Sequence, residues 1–194
     1  MARVPYTNAV GSLMYAMMCT RPDICYAVGL VSRFQSNPGL AHWKAVKRIM
    51  RYLKRTADYV LCYQGSDLQL RGYSDADWGN DLDERKSTTG YVFLLNQGAI
   101  TWSSKKQPCI ALSTMEAEYI ACSAAVQEAV WLRRFLKHLD IGTDTSDPVT
   151  IFCDSMAALA YAKDSNRMVA DPLTKPIARD VFKARVRNLR LRRL

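Results

Sequence analysis

The sequence predicts an α/β domain that follows a small helical segment, and three patterns support this prediction. Apolar residues recur every three or four positions up to about residue 55, and after residue 65 they alternate with polar ones, so helices give way to strands. Two β-rich runs at 90–95 and 99–104 flank the sequence Asn-Gln-Gly, which is typical of a hairpin. A capping-box sequence at 113–116 begins the longest predicted helix, and a short apolar run at 149–153 follows as a buried strand.

The helical segment, residues 1–65, is best defined by the stretch 42–55. Its apolar residues at helical spacing are Trp43, Val46, Ile49, Met50 and Leu53. Lys and Arg residues stand between them, which indicates an amphipathic helix with a basic outer face. No pattern in this segment indicates catalysis, and we expect it to pack and to contact nucleic-acid backbones.

Charge is distributed unevenly along the chain. Residues 1–65 contain nine Lys or Arg and two Asp or Glu, a net charge of +7, and residues 167–194 have the same balance. Residues 66–166 contain nine basic and 14 acidic residues, a net charge of −5. An acidic centre between basic ends fits a carboxylate site that holds cations beside surfaces that attract a polyanion. The basic residues could equally well only solvate surface helices, and charge alone leaves both interpretations open.

Four acidic residues stand at positions where a ligand site can form. Asp75 ends the first predicted strand, and Glu118 lies in the first turns of the long helix. Asp154 ends the apolar strand, and Asp171 opens the last helical stretch. Neighbouring parallel strands would bring Asp75 and Asp154 to one edge of a sheet. Crowded carboxylates repel unless cations such as a pair of Mg²⁺ ions neutralise them. The spacing of these four residues alone is equally compatible with aspartates in ordinary turns and a solvent-exposed glutamate on a helix.

Other classes of protein and site are disfavoured. No apolar run approaches the roughly 20 residues that span a bilayer, so no membrane partner is expected. The start, MARVPYTNAV, lacks the basic and apolar regions of a secretory signal, so secretion is not expected. Six scattered cysteines without a CxxC pair or nearby histidine predict buried free thiols in a reducing compartment and argue against a structural zinc site. We expect His42 and His138 at the surface, not as ligands or bases.

Long motifs then connect the chain to a known family. In the second part they are YSDADW at 73–78, RKSTTGYV at 85–92, WSSKKQ at 102–107 and STMEAEY at 113–119. In the first part they are GSLMY at 11–15, TRPDI at 20–24, SNPG at 36–39 and RYLK at 51–54. Residues 66–194 closely resemble the ribonuclease H domain of copia-type retrotransposon Pol polyproteins. Residues 1–65 resemble the helical segment that connects reverse transcriptase to that domain.

The resemblance implies a fold, an activity and a site. The fold is a ribonuclease H-like mixed sheet with flanking helices, and the activity is endonucleolytic cleavage of the RNA strand of RNA–DNA hybrids with two Mg²⁺ or Mn²⁺ ions. The catalytic, metal-binding residues are matched in chain order by Asp75, Glu118, Asp154 and Asp171. The implied partners are the hybrid and the reverse transcriptase region of the same polyprotein. The implied compartments are the cytoplasm, in a virus-like particle, or the nucleus.

The sequence departs from the family between the third and fourth carboxylates. Only 17 positions separate Asp154 from Asp171, whereas relatives have several dozen residues there, including the fifth strand. We therefore expect an internal deletion near 164–166, a sheet without its fifth strand, and weak or absent nuclease activity. The alternative to a nuclease is a catalytically inactive retrotransposon remnant that at most binds nucleic acid without sequence preference.

Overall fold

A computed structural model describes residues 4–63, 68–139 and 148–163, together with the backbone of Leu189–Arg192. The chain divides into two units, Met1–Cys62 and Tyr63–Leu194. This division falls three residues before the boundary that we placed from the sequence. The expected deletion near 164–166 lies outside the described residues. None of the helices in the described ranges is long and apolar enough to cross a membrane.

The first unit consists of helices that share one apolar core. Its elements are α1 (Tyr6–Cys19), a 3₁₀ turn (Pro22–Ile24), α2 (Cys25–Ser32) and α3 (Leu40–Arg55). The buried core residues come from all of them: Tyr6, Val10, Leu13, Ile24, Val28, Val31, Val46 and Ile49. The Tyr6 hydroxyl donates to the carbonyl of Val31 at 2.7 Å, which satisfies its polar end inside the core.

A buried arginine holds the middle of this unit to the end of α3. The Arg21 guanidinium donates to both the carbonyl and the hydroxyl of Thr56, at 3.0 and 2.7 Å, and to both carboxylate oxygens of Asp23. The pKa of Asp23 is lowered by the hydrogen bonds from Arg21. Two residues of the TRPDI motif are therefore explained by packing and hydrogen bonding alone.

The start of α3 depends on His42, which the sequence placed only at the surface. Its Nδ1 accepts the N–H of Gly39 at 2.9 Å, and its ring stacks on Phe34 with 3.9 Å between centroids. This hydrogen bond satisfies one of the backbone donors that a helix N-terminus leaves free. His42 is thus a structural residue of the helix start.

The second unit contains a mixed sheet of five strands. The strands are β1 (Arg71–Asp77), β2 (Thr88–Leu95), β3 (Gly98–Lys106), β4 (Val149–Phe152) and β5 (Leu189–Arg192). Their order is β3-β2-β1-β4-β5, with antiparallel pairs on the β3 side of β1 and parallel pairs on the β5 side. Helix α4 (Thr114–Leu139) packs on β1 and β2, and α5 (Met156–Lys163) packs on α4. The predicted α/β class, a mixed sheet with flanking helices, is confirmed.

The local signals in the sequence mark the turns of this unit correctly. Asn96 and Gln97 both have positive φ values, 54° and 64°, as a two-residue hairpin turn between β2 and β3 requires. The hydroxyl of Ser113 accepts the N–H of Glu116 at 3.2 Å at the start of α4. The Glu116 carboxylate accepts the N–H of Leu112 at 2.6 Å, so Glu116 is the capping residue we expected it to be.

The structure corrects the expectation that the sheet lacks a fifth strand. The backbone of Leu189–Arg192 pairs in parallel with β4, from Val149 opposite Leu189 to Phe152 opposite Arg192. The physical reason is that an uncovered β4 would expose a row of unpaired N–H and C=O groups. A later segment with alternating Leu and Arg residues meets this requirement.

The core of the second unit leaves no space at one position of β1. Gly72 pairs directly with Phe93 of β2, whose side chain is fully buried. A Cβ atom on Gly72 would lie 2.5 Å from Cε1 of the Phe93 ring. The ring therefore occupies the space that any other residue at position 72 would need.

We expect Gly72→Ala to lower the free energy of unfolding of the second unit by about 1–3 kcal/mol, because the Phe93 ring must leave its position in a packed core. Urea unfolding followed by circular dichroism measures this change. Gly90→Ala in β2 is the matched control, since its Cβ would meet nothing closer than 3.9 Å. Equal stability of the two variants would contradict the packing argument.

Candidate active site

Three of the four predicted site residues lie on separate elements of the second unit. Asp75 is on β1, Glu118 is in the second turn of α4, and Asp154 follows β4 by two residues. The fourth, Asp171, lies outside the described residues. Asp77, next to the site in sequence, is exposed and accepts a hydrogen bond from Asn80.

The strand register places Asp75 and Asp154 beside each other. β1 and β4 run in parallel, with Tyr73 opposite Phe152, and the two aromatic rings stack with 5.0 Å between centroids. Each aspartate is two residues beyond its aromatic neighbour, and the negative charges of both act on Glu118. Both side chains are exposed there.

Glu118 reaches this edge from the helix and is buried. It retains 8% of its exposed area, and its Oε1 accepts the N–H of Ala76 at 3.2 Å. Burial is the main cause that raises the pKa of Glu118, the hydrogen bond from Ala76 lowers it, and the negative charges of Asp75 and Asp154 raise it; the net result is a pKa of about 8. In the described part of the chain, no Lys or Arg pairs with this carboxylate.

Two buried thiols extend the site beneath Glu118. The hydroxyl of Ser74 donates to Sγ of Cys122 at 3.7 Å, and the thiol of Cys153 donates to Oε2 of Glu118 at 3.9 Å. The Cys122 thiol donates in turn to Cys153, and this hydrogen bond together with burial raises the pKa of Cys122. Weak hydrogen bonds thus connect Ser74 on β1, Cys122 on α4 and Cys153 after β4 to the carboxylate of Glu118.

Glu118, Cys153 and Asp154 bring their donor atoms close enough to share one ion. One carboxylate oxygen from each acidic residue and the sulfur of Cys153 all lie within 4.8 Å of one another. A buried carboxylate without a basic partner is costly unless it is protonated or neutralised by a cation. The carboxylate oxygens of this set fit a divalent metal ion such as Mg²⁺, which prefers oxygen ligands.

The sequence analysis missed the thiols. It predicted buried free cysteines; none of the six forms a disulfide, but Cys19 and Cys62 are exposed and only Cys122 and Cys153 are buried. Two signals could have placed the buried pair at the site. Cys122 follows Glu118 by four residues and so shares its helix face, and Cys153 directly precedes Asp154.

Comparison with known proteins adds a family to this geometry. The chain is 55% identical over 165 residues to the retrovirus-related Pol polyprotein from transposon TNT 1-94 of Nicotiana tabacum, covering 85% of this chain and 12% of that protein. It is 42% identical over 154 residues to the Pol polyprotein from transposon RE2 of Arabidopsis thaliana, covering 79% of this chain and 10% of that protein. No protein-family model matches the sequence.

Two further matches differ in kind from these polyproteins. The secreted RxLR effector protein 161 of Plasmopara viticola is 53% identical over 133 residues, which cover 68% of this chain and 94% of that protein. Among solved structures, LC11-RNase H1, isolated from compost, is 18% identical and covers 66% of this chain and 84% of its own, with a TM-score of 0.42. The order and directions of the strands, and not this score, establish the mixed α/β fold.

Fold and site together define an α/β domain with a carboxylate centre at the carboxyl ends of parallel strands. Over 79–85% of its length, the chain is similar to one segment of the retrovirus-related Pol polyproteins of plant transposons. It spans about a tenth of the length of these polyproteins.

The raised pKa of Glu118 predicts how stability depends on pH in metal-free protein. The native state keeps a proton on Glu118 up to a pH of about 8, whereas the unfolded chain releases it near 4.5. This contribution to stability is present below pH 4.5 and is lost as the pH rises towards 8. Its full size is on the order of 5 kcal/mol, since one pKa unit corresponds to about 1.4 kcal/mol.

Urea unfolding between pH 5 and 8 in the presence of a chelator tests this dependence. Glu118→Gln carries no titrating proton, so we expect its free energy of unfolding to fall less with pH than that of the wild type. Glu116→Gln changes the same helix outside the cluster and should follow the wild type. Parallel curves for all three proteins would show that Glu118 titrates as it does in the unfolded chain.

Proposed function

We propose that the chain is a ribonuclease H-like endonuclease that cleaves the RNA strand of RNA–DNA hybrids by two-metal-ion hydrolysis, as part of a retrotransposon Pol polyprotein of the copia type. The observation that carries this proposal is that Glu118 and Asp154, from separate elements, each bring a carboxylate oxygen into one cluster, and that the charge of Asp75 also acts on Glu118. A buried Glu118 without a described basic partner supports a role for cations at this edge.

The proposed roles follow from where the side chains lie. Asp75 and Asp154 are exposed, and so their carboxylates are accessible to both ions and substrate. The N–H of Ala76 donates to Oε1 of Glu118 and holds this side chain in place, so its Oε2 faces the cluster. Asp171 is proposed as the fourth ligand. When bound, two Mg²⁺ or Mn²⁺ ions supply a water of lowered pKa and neutralise the charge on the departing 3′ oxygen.

The substrate and partners belong to the same proposal. Contacts to 2′-hydroxyl groups across a shallow minor groove are the chemistry that distinguishes RNA from DNA in a hybrid. The reverse transcriptase region of the polyprotein is the proposed partner that supplies such hybrids. The proposed compartments are the cytoplasm, in a virus-like particle, and the nucleus.

The direct test is Mg²⁺-dependent cleavage of a hybrid with a labelled RNA strand by the purified chain. Asp154→Asn removes one ligand charge at an exposed position, so the protein should still fold. We expect its cleavage rate to fall by at least about 100-fold, the scale of losing one electrostatic stabiliser of a transition state. Asp75→Asn should lose activity similarly.

Asp83→Asn is the control for this test, because Asp83 is exposed and lies outside the cluster. It should cleave at the wild-type rate, and a chelator should abolish cleavage by both. Equal cleavage by wild type and Asp154→Asn, with or without Mg²⁺, would falsify the proposed nuclease. Absence of cleavage by a folded wild-type protein would favour the inactive remnant.

The second candidate function is binding of nucleic-acid backbones without catalysis, and helix α3 favours it. Six exposed basic residues and no acidic residue occur along this helix: Lys44, Lys47, Arg48, Arg51, Lys54 and Arg55. At 3.6 residues per turn they fall within an arc of about 120° and a length of about 16 Å. This arc lies opposite the buried Val46 and Ile49. Such a face can bind phosphates without reading sequence.

The salt dependence of the binding constant tests this function. The full chain is titrated into a fluorescent duplex of about 20 base pairs at several salt concentrations. Arg48→Gln with Arg51→Gln should weaken binding at low salt and reduce the slope of log K against log salt by up to about 1.8, since each phosphate contact contributes about 0.9. The matched control neutralises two exposed cations on α4, Arg134→Gln with Lys137→Gln. The same loss of slope in both double variants would mean that net charge, and not the α3 face, governs binding.

A further inference from the structure

Two exposed aromatic rings lie side by side near the carboxyl end of α4. Trp131 and Phe135 are about one helical turn apart, and their rings stack with 5.1 Å between centroids and 7° between planes. Trp131 is 55% exposed and Phe135 is 44% exposed. At 1.5 Å per residue, Trp131 lies about 20 Å along the helix from Glu118. The two rings are therefore separate from the carboxylate cluster.

The same end of the helix is cationic. From residue 129 to residue 139, α4 contains three Lys or Arg residues and no Asp or Glu. Arg134 and Lys137 are exposed, and among the described residues neither has a salt-bridge partner. Arg134 follows Trp131 by three residues, so these two side chains are neighbours on the helix surface. The helix dipole attracts cations within the last turn only, and so it does not account for Arg134.

We propose that Trp131 and Phe135 form a stacking platform for the bases of single-stranded nucleic acid, whose phosphates Arg134 and Lys137 attract. Aromatic rings beside cations are the combination with which proteins bind single strands, because every base has a face that stacks on a ring. Two rings that already hold each other in place lose little conformational freedom when a base stacks on them. The platform selects single strands, since the bases of a duplex are already stacked on one another. It differs in this respect from the α3 face, which can bind only phosphates.

The size of the exposed surface favours a nucleic-acid base over a protein partner. An aromatic side chain has about 150–250 Å² of surface to bury, so the exposed parts of the two rings amount to roughly 200 Å². A stable protein interface covers about 800 Å² on each partner. Adding Leu139, which is 49% exposed, leaves the surface well below that size. A single stacked base needs only one ring face, which this surface provides.

Binding of single strands by the full chain tests the proposal. The probe is a fluorescent strand of about 12 thymidines, within the range of lengths that single-strand-binding domains cover. The second probe is an abasic strand of the same length and charge. We expect the wild type to bind the thymidine strand at least about fivefold more tightly than the abasic one, the lower limit for one stacked base. Trp131→Ala with Phe135→Ala should lose this preference, and Trp131→Phe, which keeps two rings, should retain it.

Leu139→Ala is the matched control, because Leu139 is exposed on the same helix and has no ring on which a base can stack. It should keep the wild-type preference. The double alanine variant should keep its circular dichroism spectrum and bind the duplex used for α3 as the wild type does. The proposal is overturned if the wild type shows no preference for bases, if the double variant keeps that preference, or if Leu139→Ala loses it as well. An equal loss of duplex binding in the double variant would also overturn it. Because no cleavage is measured, none of these results bears on the proposed nuclease.

Discussion

The burial of Glu118 is the constraint on which the rest of the site depends. A carboxylate removed from water loses several kcal/mol of solvation unless it is protonated or compensated, and one hydrogen bond to a charged group returns only about 1.5–3 kcal/mol. The N–H of Ala76 provides one such bond, and the Cys153 thiol adds only a weak, long one. Helix α4 packs on β1 and so carries Glu118 to the strand ends regardless of this cost. The remainder must come from a proton or from a cation.

The motifs that identify the family describe its scaffold more than its chemistry. Gln107, from WSSKKQ, is buried and donates to Thr89 and to the carbonyl of Ala117, which ties β2 to the start of α4. Lys106 pairs with Asp81 and Glu84 and closes the loop between β1 and β2. The pKa of Asp81 falls to about 2 because it accepts the Glu84 N–H and the Lys106 ammonium. Similarity in such residues is strong evidence for the fold and indirect evidence for catalysis.

Features that depend on neighbouring residues were predicted correctly from the sequence, and features that depend on contacts between distant residues were mostly missed. The hairpin turn and the start of α4 follow from a few neighbouring residues, and the parallel pairing of β1 with β4 brings both Asp75 and Asp154 near enough for their charges to act on Glu118. Cys153 was missed because its place beside Glu118 depends on how α4 packs on the sheet. The pairing of Leu189–Arg192 with β4 was missed because a parallel strand across a long connection leaves no local pattern. Asp171 stays a prediction, since it lies outside the described residues.

The fifth strand bears on the site as well as on the sheet. Asp154 and Cys153 follow the last residue of β4, a strand of only four residues. Such a short strand holds a fixed position only if its backbone is paired on both sides, by β1 and by β5. The distance between the Cys153 sulfur and Glu118, and the register of Asp154 with Asp75, therefore depend on backbone pairing by residues near the end of the chain. The segment that occupies this edge of the sheet therefore supports the position of Asp154 as well as the sheet itself.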